Sequence, residues 1–151
     1  MGLWTGSALL LSSQALSCLI VCALWSLDVL GRLILGRHVI GGTEYMFDAH
    51  LALGLRQLSL FHVLLPIVLL RCLRLLGYDR RALGLQSAIA GLGLLAGRLA
   101  GPKRNINFAF IDPIFHRSLG AAPIHLAVSF VALVVIVYSP SHLLLKRLFP
   151  R

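Results

Sequence analysis

Four long apolar stretches occupy most of this 151-residue chain, and they restrict its possible folds more than any other feature. They cover about residues 7–35, 51–76, 82–100 and 118–145. A helix of roughly 20 apolar residues crosses the ~30 Å hydrocarbon core of a bilayer. We therefore predict an all-α fold, a polytopic transmembrane helical bundle with about four membrane-spanning helices, in which residues 1–151 form a single domain.

The composition excludes a water-soluble domain. Hydrophobic residues make up 58% of the chain and charged residues only 13%, and the mean hydropathy is +0.89, whereas a soluble domain needs far more polar surface. The net charge of +9 comes from basic residues at the ends of the apolar stretches, where they meet lipid headgroups. The predicted location is the cell (cytoplasmic) membrane, with a multi-pass topology. The predicted partners are the lipid bilayer, anionic lipid headgroups and a second copy or another membrane subunit, with no nucleic acid and no cofactor.

The basic residues divide evenly between the two ends of such a bundle. One end has Arg71, Arg74, Arg80, Arg81, Lys146, Arg147 and Arg151. The other end has Arg32, Arg37, Arg56, Arg98, Lys103, Arg104 and Arg117. This balance gives no positive-inside signal, so the orientation in the membrane stays open. The acidic residues are less even, since Glu44, Asp48 and Asp112 join the second group and only Asp79 joins the first.

Four crossings place two polar loops, residues 36–50 and 98–118, on the same side of the membrane. Together they collect His, acidic, Asn and Arg side chains, which a plain connection does not need. The basic ones would bind an anionic headgroup. The candidate substrate-binding residues are Arg56, Lys103, Arg104, Asn105, Asn107 and His116.

The second stretch contains a polar stripe. Ser59, His62 and Pro66 follow Arg56 at spacings that place them along one helix face. Pro66 cannot donate to the His62 carbonyl, which predicts a kink there. His62 lies about 16 Å along the helix from Leu51, near the middle of the membrane, where an ionisable group suggests a function. The candidate catalytic residues are His62, Ser59, Glu44 and Asp48.

Asp28 lies inside the first stretch, with Arg32 one turn later. An acid four residues before an Arg is the favourable order for an intrahelical ion pair, so we predict a structural intramembrane pair of Asp28 and Arg32. His125, near the start of the fourth stretch, is predicted to face the loops. His142, near its end, belongs to the opposite interface.

The second and third stretches are joined by a tight helical hairpin, which Gly77 is predicted to begin as a helix C-cap. The third stretch is rich in small residues, which are Gly84, Ala88, Gly93, Gly97 and Gly101. Such residues let helix backbones approach closely inside lipid. We therefore predict that the third helix packs tightly against its neighbours.

Five segments of the chain are distinctive: GTEYMFD at 42–48, LSLFHVLLP at 58–66, LGYDRRAL at 76–83, NIN at 105–107 and SHLLL at 141–145. Through them the chain resembles, from about Ser12 onward, a group of uncharacterised bacterial multi-span membrane proteins. The resemblance implies a bacterial inner-membrane protein and implies no activity. The chain has Phe108 and Ile111 where those proteins have Trp and Gly, and it begins later, which predicts that it lacks an N-terminal span.

The preferred prediction is a non-enzymatic integral membrane protein, namely a subunit, scaffold or small carrier with a polar loop face. Small-residue packing and paired charges are sufficient for such a role. The alternative is a membrane-embedded enzyme that acts on a lipid or lipid-linked substrate. His62 would then be the general base or a metal ligand, with Ser59 beside it. The loops would contribute Glu44, Asp48, His50 and His116.

Acid–base chemistry requires these groups within hydrogen-bond reach of each other. The chain has no HxxxH or HExxH pair, so no metal site is predicted. A third hypothesis is a transporter or ion pathway that uses Asp28, His62 and His125 as a relay.

Overall fold

The computed structural model describes residues 7–150, apart from the side chain of Arg104. Within them the chain forms four long helices, which are α1 (Ala8–Leu35), α2 (Leu53–Leu76), α3 (Ala82–Leu99) and α4 (Ala122–Leu148). Three short 3-10 helices lie in the connections, at Glu44–Phe47, Pro102–Arg104 and Ile106–Phe108. The predicted all-helical bundle is confirmed.

The helices run alternately up and down. The Ser12 hydroxyl, near the start of α1, accepts a hydrogen bond from the Asp79 N–H at 2.9 Å. The Phe149 carbonyl, just after α4, accepts one from the Tyr78 N–H at 2.8 Å. Because Tyr78 and Asp79 belong to the hairpin between α2 and α3, the start of α1 and the end of α4 lie beside that hairpin. We call this the hairpin end of the bundle.

The opposite end, which we call the loop end, has two long connections. Loop 1 (residues 36–52) joins α1 to α2, and loop 2 (residues 100–121) joins α3 to α4. As predicted, both loops lie at the same end of the bundle.

The apolar core lies in the half of the bundle next to the hairpin. Its buried side chains are Leu11, Ala15, Leu16, Leu69, Leu73, Tyr78, Ala82, Tyr138 and Leu145. Two linked side-chain hydrogen bonds cross this half of the bundle. The Ser13 hydroxyl donates to Gln86 Oε1 at 2.8 Å, and Gln86 Nε2 donates to the Tyr138 hydroxyl at 3.4 Å. Within lipid such hydrogen bonds help to hold helices together.

The outward faces of the four helices are apolar. Leu64 is 63% exposed, Leu92 68% and Ile136 67%. The most apolar 18-residue windows of the helices have mean hydropathies from 1.3 to 2.1, and only 11% to 22% of each window is buried. A soluble monomer does not expose apolar surface on this scale. By length and composition, each of the four helices is able to cross a membrane.

Helix α2 is interrupted at Ser59–Leu60, between the α-helical segments Leu53–Leu58 and Phe61–Leu76. Pro66, where a kink was predicted, lies inside the second segment, and the kink at Pro66 stays a prediction. At the interruption the Ser59 carbonyl oxygen accepts the His62 N–H at 3.1 Å and lies 2.9 Å from His62 Nδ1. In a regular α-helix this carbonyl would accept the N–H of Val63, which donates instead to the Leu60 carbonyl at 3.0 Å.

Helix α4 has an irregular centre. Leu133–Tyr138 forms a π-helix between two α-helical segments, and Pro140 follows, which has no N–H to donate. The Val134 carbonyl accepts both the N–H of Ser139 and its hydroxyl, the latter at 2.8 Å. A π-bulge beside a proline is a recognised way to accommodate such a helix irregularity.

The glycines of α3 have a different role from the one predicted. A Cβ on Gly97 would lie 2.4 Å from the Ile106 carbonyl oxygen, and one on Gly93 would lie 3.3 Å from Asn107 Nδ2. Ile106 and Asn107 belong to loop 2. These two glycines therefore admit the loop rather than a neighbouring helix, and for them the predicted helix–helix packing is wrong. Gly84, in the same helix, faces open space.

Gly77 is the C-cap of α2, as predicted, with φ 73°. The next residue, Tyr78, is buried, and its hydroxyl lies 2.8 Å from His142 Nδ1. Burial, with a contribution from the charge of Asp79, raises the pKa of Tyr78 to about 12. The hydroxyl therefore stays protonated at neutral pH and shares its hydrogen bond with His142, which lies at the hairpin end as predicted.

Candidate functional site

Asp28, in the last part of α1, is fully buried and is the centre around which loop 1 folds. Its Oδ1 accepts the backbone N–H groups of Val39 at 2.8 Å, Ile40 at 2.6 Å and Gly41 at 2.9 Å. The chain can return to Asp28 because Gly36 ends α1 in the left-handed conformation, with φ 70°. Successive N–H groups aimed at one point form an anion-binding concavity, here filled by the protein's own carboxylate.

The other oxygen of Asp28 is occupied by side chains. Oδ2 lies 2.8 Å from His38 Nδ1 and accepts a hydrogen bond from the Thr43 hydroxyl. Thr43 is buried, whereas the His38 side chain is 22% exposed. Because a carboxylate can only accept, His38 donates through Nδ1–H, an arrangement that in the neutral imidazole leaves the lone pair on Nε2. In such an Asp–His pair the carboxylate fixes the tautomer and the orientation of the imidazole.

The predicted ion pair between Asp28 and Arg32 does not form, and this prediction is wrong. The guanidinium of Arg32 donates instead to the Gly36 carbonyl and lies over the Phe47 ring, 5.8 Å from its centroid. The physical reason is that both oxygens of Asp28 already accept donors from loop 1. Arg32 is exposed on the outside of this cluster.

A group of rings lies beside Asp28. Trp25, one turn earlier in α1, stacks on His62 with ring centroids 4.7 Å apart and an interplanar angle of 15°. The Trp25 indole N–H donates to the Tyr45 hydroxyl of loop 1 at 3.0 Å. His62 is therefore separated from loop 1 by a single side chain and lies towards the loop end rather than at the centre of an unbroken helix. Its hydrogen bond reaches the carbonyl of Ser59, so these two side chains are not arranged as base and nucleophile.

The remaining candidates in loop 1 and at the start of α2 have separate partners. Arg56 Nη1 donates to the Met46 carbonyl at 3.3 Å, and Arg56 Nε is buried without a hydrogen-bond partner. Glu44 is exposed at the start of the 3-10 helix. Asp48 is exposed and accepts the His50 N–H at 2.8 Å. None of these contacts joins a candidate to His62.

The two asparagines of loop 2 hold the loop in shape. Asn105 Oδ1 accepts the N–H groups of Phe110 at 3.0 Å and Ile111 at 3.1 Å, and its Nδ2 donates to the Ile111 carbonyl at 2.8 Å. Asn107 Nδ2 donates to the Gly93 carbonyl of α3 at 2.7 Å. Both residues have positive φ, 43° and 54°, which asparagine tolerates better than most residues. The two amides proposed for substrate thus bind the protein's own backbone.

His125, at the start of α4, is fully buried and faces loop 2, as predicted. Its Nε2 lies 2.9 Å from the Phe108 carbonyl oxygen, and its Nδ1 accepts the Leu119 N–H at 3.2 Å. This arrangement uses one donor and one acceptor of a neutral imidazole. His125 therefore ties both halves of loop 2 to α4.

The other loop 2 candidates lie on the surface. His116 is exposed, has φ 53° and donates its N–H to the Asp112 carbonyl at 3.0 Å. Lys103 is exposed as well. The side chain of Arg104 lies outside the described part of the structure.

The two loops form separate polar clusters. In residues 7–150, the side-chain hydrogen bonds of loop 1 end within loop 1, α1 or α2, and those of loop 2 end within loop 2, α3 or α4. Asp28 and His125, two members of the proposed relay, are thus engaged by different loops. Among the described residues, no group of three or more His, Cys, Asp or Glu side chains is placed to hold a metal ion.

The sequence reasoning missed His38 and Thr43 as partners of Asp28. Their separations from Asp28, ten and fifteen residues, match no helical period. The available signal was Gly36, which predicts a helix end with a reversed chain direction. That reversal brings the following residues back along α1 toward Asp28.

Comparison with known proteins gives no match to a family model, to a curated protein or to a solved structure. Function is therefore inferred from the geometry of the two clusters.

Proposed function

We propose that the chain is a multi-pass integral protein of the cell membrane, and of the inner membrane in a bacterium. The support is the combination of four long apolar helices with polar groups gathered in the loops. Polar groups of such a chain lie at the membrane surface because water and lipid headgroups can form hydrogen bonds with them there, whereas the hydrocarbon core cannot.

Reporter fusions at Gly42, Tyr78 and Lys103 test this topology. Gly42 lies in loop 1, Lys103 in loop 2 and Tyr78 in the hairpin. We expect Gly42 and Lys103 to report the same side of the membrane and Tyr78 to report the other. Opposite results at Gly42 and Lys103 would contradict the proposal.

Within the membrane, we propose a non-enzymatic role as a subunit, scaffold or small carrier. The observation that supports it most is the saturation of Asp28 by three backbone N–H groups, one hydroxyl and one imidazole. An ionisable group at membrane depth is expensive, and here its hydrogen-bonding capacity is spent on folding loop 1. His62, His125 and both loop 2 asparagines are likewise used internally.

Two variants of His62 test this role. A structural His62 that stacks on Trp25 and bonds the Ser59 carbonyl should be replaced with little loss by Gln, which keeps a donor, and with more loss by Ala. The measurements are the melting temperature in detergent and the oligomeric state of protein extracted in native lipid. A strictly monomeric protein that co-purifies with no partner would argue against a subunit role.

A second candidate function is an enzyme acting on a lipid or lipid-linked substrate, and the Asp28–His38 pair favours it. The oriented imidazole has a free Nε2 and is partly exposed, so it could accept a proton from a water molecule that attacks an ester bond. The base would then be His38 rather than His62.

Vesicles of bacterial polar lipids with reconstituted protein distinguish the two functions. An enzyme should deplete one lipid class, and His38→Gln should abolish the depletion while His116→Gln does not. Identical lipid profiles with and without the protein would remove the enzymatic candidate.

A further inference from the structure

A groove at the surface of the bundle is lined by helix residues and includes no residue of either loop. It has a volume of about 440 Å³ and lies between α1, α2 and α4. Its lining includes Ala23 from α1, Pro66 and Leu70 from α2, and Pro140 and Leu144 from α4. The lining is almost entirely apolar, and Leu144 is 56% exposed, so the groove opens outward.

The two prolines give this groove its position. Pro66 and Pro140 have no N–H to donate, and each follows an irregular stretch of its helix, the break at Ser59–Leu60 and the π-helix at Leu133–Tyr138. Ala23 contributes only a methyl group between them. Both prolines and the small side chain of Ala23 thus lie in the lining of the groove.

A second cavity, of about 590 Å³, begins where the groove ends. It lies at the hairpin end and is lined by residues that include Arg74, Gly77, Leu148 and Phe149. Leu148 lines both cavities. The apolar groove and the cavity that contains Arg74 are therefore neighbours, with Leu148 in the lining of both.

The hairpin end is strongly basic. Its exposed basic side chains are Arg71, Arg74, Arg80, Arg81, Lys146 and Arg147. Asp79 is the acidic residue at this end, and it forms an ion pair with Arg81 at 2.8 Å. The remaining positive charges favour an anionic group at the pocket, with each basic residue near a membrane surface adding about 1 kcal/mol of attraction.

We propose that the groove and the adjoining pocket together bind one anionic phospholipid, with an acyl chain along Ala23, Pro66 and Leu144 and the phosphate beside Arg74. The apolar groove matches hydrocarbon, the Arg74 guanidinium in the adjoining pocket matches phosphate, and Leu148 belongs to both linings. Loop-end residues such as Arg56, which bonds the Met46 carbonyl, do not take part.

This inference rests on the proposed membrane-spanning arrangement, and its failure can be told apart from a failure of that arrangement. The fusions at Gly42, Tyr78 and Lys103 measure topology alone. Lipid selectivity can be absent while the topology is as proposed.

Native mass spectrometry of the detergent-purified full chain, titrated with phosphatidylglycerol or phosphatidylcholine, tests the proposal. We expect one bound phosphatidylglycerol with a clear preference over phosphatidylcholine. Arg74→Ala should weaken phosphatidylglycerol binding about fivefold and leave phosphatidylcholine binding unchanged. The matched control Arg117→Ala, at the loop end, should change neither.

Filling the groove tests the acyl-chain part. Ala23→Phe and, independently, Leu144→Trp should weaken binding of both lipids, whereas Val21→Phe, on α1 but outside the groove lining, should not. All three positions are exposed, and unchanged melting temperatures establish that the variants fold. The proposal would be overturned by equal binding of the two lipids or by undiminished binding to both groove variants. It would also be overturned if a cysteine at position 144 cross-linked two copies of the chain with no lipid bound.

Discussion

Loop 1 and loop 2 are each held to a helix by one buried polar side chain, but the chemical group that holds them differs. Each folds back onto a helix and is fastened by one fully buried polar side chain, Asp28 for loop 1 and His125 for loop 2. Each also approaches a glycine: a Cβ on Gly31 would lie 2.4 Å from Val39 Cγ2, and one on Gly97 would lie 2.4 Å from the Ile106 carbonyl oxygen. The difference lies in the fastening group, which is a carboxylate in one loop and an imidazole in the other.

The carboxylate concentrates the fold of loop 1 on one residue. Asp28 is a pure acceptor, and five donors from loop 1 converge on it. His125 accepts one hydrogen bond and donates one, and loop 2 has additional support from Asn105 and Asn107. Loop 1 should therefore fail as a unit when Asp28 is removed, whereas loop 2 should lose order in parts.

The largest effect is expected from Asp28→Ala. It leaves three partly buried backbone N–H groups without their acceptor and removes the buried carboxylate that His38 and Thr43 share, and removing one member of a buried charged cluster is strongly destabilising. We expect the melting temperature in detergent to fall by about 10 °C and the amides of Val39 to Gly41 to lose protection from hydrogen exchange. Asp48→Ala, at an exposed carboxylate, is the control. A normal melting temperature for Asp28→Ala would break the comparison at its strongest point.

His125→Ala should have a smaller and more local effect. It leaves the Phe108 carbonyl and the Leu119 N–H unpaired, at a cost of about 1–3 kcal/mol. We expect faster hydrogen exchange at Leu119 and unchanged exchange in loop 1, with His116→Ala as the exposed control. Equal loss of protection in both loops would show that they are one cooperative unit.

Alanine at the two glycines separates a rigid contact from a yielding one. Gly97→Ala meets a backbone carbonyl, which cannot move without displacing loop 2, so we expect a loss of about 1–3 kcal/mol of unfolding free energy. Gly31→Ala meets a valine methyl group, which a rotamer change can withdraw, and should cost less. Gly84→Ala, in open space, should be neutral or slightly stabilising. The order is checked by unfolding in mixed micelles, and a reversed order of Gly31 and Gly97 would contradict it.

Tyr45→Phe should produce the smallest change. It removes the acceptor of the Trp25 indole N–H but keeps the ring, so we expect a loss of about 0.5–1.5 kcal/mol. The fluorescence emission of Trp25 should shift as its hydrogen bond is lost. A Tyr45→Phe effect as large as that of Asp28→Ala would mean that the ring group, rather than the carboxylate, organises loop 1.

The sequence alone determined the class, the number of long helices and most of their bounds, because length and apolar composition decide which segments lipid can surround. It also determined the C-cap at Gly77, which depends on one residue and its neighbours. The position of His125 toward the loops followed from helix order in the same way.

Tertiary structure alone decided the partners of the polar residues. Asp28 has a suitable neighbour in sequence, Arg32, yet it binds His38, Thr43 and the loop backbone, because Gly36 reverses the chain and three converging N–H groups satisfy a buried carboxylate better than one exposed guanidinium. Gly97 likewise matched a pattern for helix packing and instead admits loop 2. The local sequence shows which polar groups need hydrogen-bond partners, whereas the path of the loop that folds back determines which residues become those partners.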